Sequence, residues 1–281
     1  MDSKLDTELL QSTERYWTMY RESIAKEASQ GNENTLDISI SSAIFASGTR
    51  YMHPLLLDLE IHAFWYTFIE AAKNFTCDSS KQDTLVRQIL YVKEIGTVTA
   101  KTQATDAILR TSNDQKVWSD LPYLATDLEK ACADDSMSAT HRTNLHSFIA
   151  RLASVGICGN TLTGCALLLL RDAFETPSGD AKVPIGDLLP AISMWALYAP
   201  HKLAFILKHS SNDGLDPKVL ALGKLCREAG VTSGGWSTLR WAFWEKQVEA
   251  IAKSDQRELA LEASTLLDMM VMIDNDNKLA D

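Results

Sequence analysis

A chain of 281 residues with 46% hydrophobic and 23% charged side chains has the composition of an ordinary globular protein, long enough for one large core. Its net charge of −10 argues against a nucleic-acid or anionic-membrane partner, because the sparse basic clustering around Arg142 and Arg151 offers little to release counterions. The first residues, Met1–Asp2–Ser3–Lys4–Leu5–Asp6, contain no apolar run, so no secretory signal is expected. The five cysteines are odd in number and form no CxxC pair. They are read as reduced and buried in a cytoplasmic protein.

Apolar residues at mixed three- and four-residue steps predict helix over almost the whole chain. The first segment, 5–29, carries Leu9, Leu10, Tyr16, Trp17, Tyr20 and Ile24. Residues 39–47 are apolar and short, and read equally as a helical turn or a strand. Pro54 then suits the first turn of a long helix running to about Phe75. Its buried arc is Leu57, Ile61, Phe64, Trp65, Phe68 and Ala72, with Asp58 at the edge. Asp78 or Ser79 caps the next helix, Gln82 stands at capping-box spacing from Ser79, and Gly96 ends it. Further helices are predicted near 100–111, 120–134, 138–155, 160–175, 186–209, 217–229, 236–252 and 255–273. Thr176–Pro177–Ser178–Gly179–Asp180 is a loop, and the acidic residues 274–281 read as a frayed tail. Period-two alternation is scarce and no linker or repeat is visible. The expectation is a single all-α domain over residues 1–281.

Its centre is expected at 186–209, which is apolar around nearly its whole circumference. The segment is about long enough to span a membrane, but Pro190, Pro200, His201 and Lys202 interrupt it, and a core helix is the better reading. Pro200 removes a backbone donor and should break the helix, making a pocket wall of Trp195, Tyr198 and His201.

Arg240 is a charge in an apolar place. At about 100° per residue, Trp236, Phe243 and Trp244 share its arc, while Thr238, Glu245, Lys246 and Glu249 form the polar face. A guanidinium so placed needs an acidic partner, an indole to stack on, or a ligand. Asp58 is the favoured partner in an architectural ion pair; the alternative is a ligand contact.

Other chemistries lack their motifs. The six histidines include no HExxH or His-x-His pair, and His141 and His146 do not share a helical face. There is no phosphate-binding glycine loop and no GxSxG elbow. Gly234–Gly235 reads as a flexible lead-in to the Trp236 helix. No metal and no cofactor are expected. Aromatic residues at helical spacing ordinarily pack a core, yet three tryptophans fall within nine residues, around a charge. Trp118, Trp195, Trp236, Trp241 and Trp244 are therefore the candidate walls for a hydrophobic small-molecule ligand. Arg240, Tyr198 and His201 are the candidate catalytic residues.

Several stretches carry a resemblance. They are Phe64–Trp65–Tyr66–Thr67–Phe68–Ile69–Glu70–Ala71–Ala72–Lys73, Asp78–Ser79–Ser80–Lys81–Gln82–Asp83–Thr84–Leu85–Val86, and Val117–Trp118–Ser119–Asp120–Leu121–Pro122. Leu197–Tyr198–Ala199–Pro200–His201–Lys202–Leu203 and Arg240–Trp241–Ala242–Phe243–Trp244 follow. In that order they resemble the helical family of filamentous fungi known as domain of unknown function 3632, over residues 55–270 or so. The family pattern has a small residue where Pro200 stands. The resemblance implies an association with fungal secondary-metabolite gene clusters, some of whose proteins fold a reactive intermediate without a cofactor. On that analogy the chain is expected to be a cyclase, pericyclase or isomerase that works by confinement and by hydrogen bonds to a carbonyl. The alternative is a non-catalytic helical interaction or regulatory module. An enclosed apolar pocket near Arg240 supports the first, and a large exposed apolar patch the second.

Overall fold

The structure, a computed structural model, describes residues 15, 18–30, 54–101 and 106–279. The segment at 39–47 lies outside them. The described residues form an all-α fold with one short two-stranded ribbon, and the chain divides into two compact units, residues 1–128 and 129–281. No described helix is long and apolar enough to cross a membrane.

In the first unit, helix α1 covers residues 18–29, and the Tyr20 hydroxyl lies 2.9 Å from Thr67 Oγ1 of α2 (Pro54–Asn74). The predicted apolar arc of α2 is buried along its length, with Trp65 and Phe68 fully enclosed. Ser79 caps α3 (Ser80–Ile95) by accepting from Lys81 N, and Gly96 ends it at φ 75°. Gln82 does not complete a capping box. Its buried amide instead donates to Ala72 O and Phe75 O, tying α3 to the end of α2.

The helix predicted at 100–111 is absent. Strand β1 (Thr99–Lys101) pairs antiparallel with β2 (Asp106–Ile108), continuing the extended, β-branched run from Thr97. The chain next turns through left-handed residues at Trp118, Leu121 and Tyr123, which delays α4 to Leu124–Cys132. That turn has a tertiary cause. Trp65 Nε1–H donates to Pro122 O at 2.6 Å, and Trp118 packs edge-on against Trp65.

The second unit is built around the apolar segment. It is broken as its proline predicts: α7 (Ile185–Tyr198) ends at Ala199 (φ −130°, ψ 35°), and Pro200 opens α8 (Pro200–His209). Around α7 lie α5 (Ala139–Ser154), α6 (Thr163–Phe174), α8 and α12 (Arg257–Leu279). This surround explains most of its apolar surface, with Leu197 left exposed. Helix α11 (Thr238–Ala252) packs on α12, α6 and α8. The helix predicted at 217–229 is two short pieces, α9 (Pro217–Leu220) and α10 (Lys224–Glu228). The last helix continues to Leu279, well into the segment expected to fray.

Candidate functional site

Ser237 caps α11 by accepting from Arg240 N, which puts Arg240 one turn into the helix. Arg240 and Glu175 are both 0% exposed. Arg240 Nε donates to Glu175 Oε1 at 2.6 Å and Nη2 to Oε2 at 3.1 Å. The remaining donors reach backbone carbonyls: Nη1 to Leu220 at 3.2 Å and Gly235 at 3.1 Å, Nη2 to Ala221 at 3.1 Å. A guanidinium has five N–H groups, so none is left for a ligand.

Asp58 is therefore not the partner. Its carboxylate accepts from Ser112 N at 3.1 Å in the first unit. Glu175 takes the role because it stands just past the end of α6, where a close pass of Gly223 closes over it and donates its N–H to Oε2. Sequence reading placed Glu175 at an ordinary helix end, and no local pattern marks it as buried. Gly235 is likewise not a flexible lead-in. It sits at φ 66° with its carbonyl on Arg240.

The indoles around this pair are core. Trp244 Nε1–H donates to Glu175 Oε1 at 2.8 Å, and Trp236 Nε1–H donates to Thr163 Oγ1 at 3.2 Å. Trp241 Nε1–H donates to its helix neighbour Glu245 at 3.1 Å. Trp236 and Trp241 meet Trp244 edge-on, with centroids 5.8 and 6.1 Å away. Between Trp195 and Trp241 the core leaves about 10 Å³, room for about one water molecule and far too small for a multicyclic ligand. Trp118 belongs to the first unit and packs against Trp65 and Phe64. The expectation of a ligand between the Pro200 break and the tryptophan helix does not fit this packing. Tyr198 lies under the Arg151 guanidinium, 3.5 Å from its ring centre, and His201 is exposed on the first turn of α8.

Room exists elsewhere in the second unit. A cavity of about 370 Å³, within the range of small-molecule sites, is lined by residues of α4, α5, α6 and the loop after α6. Cys132, Cys165, His146 and Arg142 converge on it. Arg142 and His146 stand four apart on α5 and so share a face. Cys132 is the last residue of α4 and partly exposed; Cys165 is buried in the first turn of α6. The expectation that all cysteines are buried thus fails for Cys132, as it does for Cys77 and Cys158.

Cys132 is pushed down to about 5, chiefly by a hydrogen bond from the Cys165 thiol, then by His146 and the Arg142 charge, with burial opposing. Cys165 is pushed up well above the thiol range because its proton is held by Cys132 and because it is buried. The negative end of α4 works against a Cys132 thiolate by about 0.3–1 kcal/mol. Hydrogen bonds to a charged group contribute about 1.5–3 kcal/mol each, so the side chains win. Trp195 Nε1–H donates to His146 Nδ1 at 3.0 Å. Nδ1 is therefore the accepting nitrogen, which leaves the ring proton on Nε2.

The Arg142 guanidinium is 4% exposed and its Nη2 donates to the carbonyls of Asp134 and Met137. Its Nε–H is buried without any partner. Such an orphan donor costs about 1–3 kcal/mol. Lys182 on the rim is paired with Asp135 at 2.7 Å, and Arg171 donates to Lys218 O at 2.9 Å. Among the described residues no three His, Cys, Asp or Glu side chains converge to hold a metal ion.

A family model described as "Protein of unknown function (DUF3632)" matches residues 65–248. The chain belongs to this family. The matched stretch contains Cys132, Arg142, His146, Cys165, Glu175 and Arg240. A similar protein is the oxopyrrolidines biosynthesis cluster protein G of Penicillium oxalicum, 28% identical over 221 residues. That alignment covers 69% of this chain and 60% of the relative, so the chain spans under two thirds of the relative's length. No solved structure matches.

Proposed function

We propose that the protein is a cofactor-independent enzyme of fungal secondary metabolism. It isomerises or cyclises a small natural-product intermediate in the cavity of the second unit. The carrying observation is the convergence of a thiol, an imidazole and the Arg142 side chain on a space of about 370 Å³. The reading is supported by the relative whose name assigns it to an oxopyrrolidines biosynthesis cluster. It is supported also by a sequence without nucleotide or zinc motifs.

Arg142 takes the part that sequence reading gave to Arg240. A donor held in place before substrate arrives needs no reorganisation when charge develops on a carbonyl oxygen. Confinement by the cavity walls supplies orientation, which in well-ordered systems is equivalent to molarities on the order of 10⁵ M or more.

The test is direct. The gene is deleted in its fungal host, the accumulated intermediate is isolated, and purified protein is added in EDTA without any cofactor. Conversion to the next metabolite of the parent strain is expected. A product profile equal to the protein-free control, or turnover that needs added metal, refutes the reading.

A further inference from the structure

We propose that Cys132 is a nucleophile that adds reversibly to a carbon–carbon double bond conjugated to a carbonyl, with the Arg142 guanidinium receiving that carbonyl oxygen. This deepens the reading above, on which it rests, by naming the substrate class: an enone or unsaturated acyl group small enough for the cavity.

The geometry separates the two thiols by role. Cys132 is partly exposed and lines the cavity, while Cys165 is buried, keeps its proton and donates it in a hydrogen bond to the Cys132 sulfur. His146 lines the same cavity and lowers the Cys132 thiol further, and Trp195 fixes its ring by donating to Nδ1. The groups facing the Cys132 sulfur are thus Cys165, His146 and Arg142, together with Glu129 on its own helix, whose carboxyl is raised by burial and then by Cys132 itself. An acidified thiol and a guanidinium lining the same cavity match the two ends of a conjugated acceptor. The sulfur meets the β-carbon and the guanidinium meets the oxygen.

The step balances without any further reagent. Sγ forms a bond to the β-carbon, and the double-bond pair moves through the α-carbon to the carbonyl oxygen as an enolate. The former double bond is now single and rotates. The enolate pair then returns, the C–S bond breaks, and the thiolate leaves. The net change is geometric isomerisation, with no proton, electron or atom gained or lost.

The probe is (Z)-β-benzoylacrylate, an enone that carries a carboxylate, used with the full-length protein. Intact-mass and peptide mass spectrometry follow the adduct, and ultraviolet absorbance follows Z-to-E conversion. At pH 5.5 an ordinary thiol is about 0.1% ionised whereas Cys132 is mostly thiolate; allowing for the lower nucleophilicity of an acidic thiol, its advantage is on the order of tenfold. Labelling at Cys132 is therefore expected about tenfold faster than at Cys77 or Cys158. Its rate should stay flat from pH 6 to 8, where theirs climb roughly tenfold per unit. The adduct should be lost on dilution. C165A should restore a rising pH profile at Cys132, and C132S should abolish both adduct and isomerisation while keeping the wild-type circular dichroism.

Labelling at Cys132 no faster than at Cys77 and Cys158, or isomerisation that survives in C132S, overturns the proposal. The two readings fail separately. If C132S still converts the host's accumulated intermediate, the nucleophile is wrong and the enzyme reading stands. If wild-type protein labels at Cys132 yet leaves that intermediate untouched, the enzyme reading is wrong.

Discussion

Replacing Glu175 by glutamine removes one charge and almost no volume, so its effect isolates electrostatics in the core of the second unit. The carboxylate accepts four N–H groups. Oε1 takes Arg240 Nε at 2.6 Å and Trp244 Nε1 at 2.8 Å, and Oε2 takes Arg240 Nη2 at 3.1 Å and the Gly223 amide. A glutamine amide has one oxygen and one NH₂. Whichever way it is turned, the NH₂ faces two donors. The Arg240 charge is also left uncompensated at 0% exposure. Breaking a buried pair from one side costs about 3–5 kcal/mol. An unsatisfied buried polar group costs about 1–3 kcal/mol more. Roughly 5 kcal/mol is at the lower end of the whole stability of a domain. The double variant Glu175→Leu/Arg240→Met removes both charges but strips the carbonyls of Ala221 and Gly235 of the Arg240 donor, and the Trp244 indole and Gly223 amide of their acceptor, while Leu220 O keeps the Gly235 N–H. It should be destabilised by about 2–4 kcal/mol, clearly less than the sum of the singles. Urea unfolding followed by circular dichroism gives all three values, with Glu175→Asp as a milder single change should Glu175→Gln not accumulate. A Glu175→Gln variant within about 1 kcal/mol of wild type would show that the pair does not hold this core.

Two further outcomes follow from the same packing. Trp244→Ala should cost about 3–5 kcal/mol in denaturant unfolding and leave product selectivity unchanged, because the indole is fully enclosed and is not among the residues lining the 370 Å³ cavity. Altered selectivity at unchanged stability would return the tryptophans to the ligand. Gly223→Ala brings a Cβ within 2.4 Å of Glu175 Cβ and 2.9 Å of its carbonyl oxygen. Overpacking of that kind costs about 1–3 kcal/mol, read as a melting temperature lowered by several degrees; an unchanged temperature would mean that the loop is free to move aside.

The sequence by itself determined the local features. Helix starts at Ser79 and Ser138, the buried arc of α2, the break at Pro200 and the burial of Arg240 each depend on a few neighbouring residues, so periodicity and capping reveal them. Family membership was legible for the same reason, in short motifs in a fixed order. The tertiary structure decided the partners. Glu175 rather than Asp58 meets Arg240 because the fold folds the α9–α10 segment over the end of α6. The helix predicted at 217–229 splits there because the Leu220 and Ala221 carbonyls turn to a guanidinium some twenty residues on. The thiol cavity draws Cys132, Cys165 and the pair Arg142 and His146 from three helices, a convergence the sequence reading did not find. A side chain's periodicity tells which way it faces. What it meets there is set by contacts between segments far apart in sequence, and no local pattern encodes those.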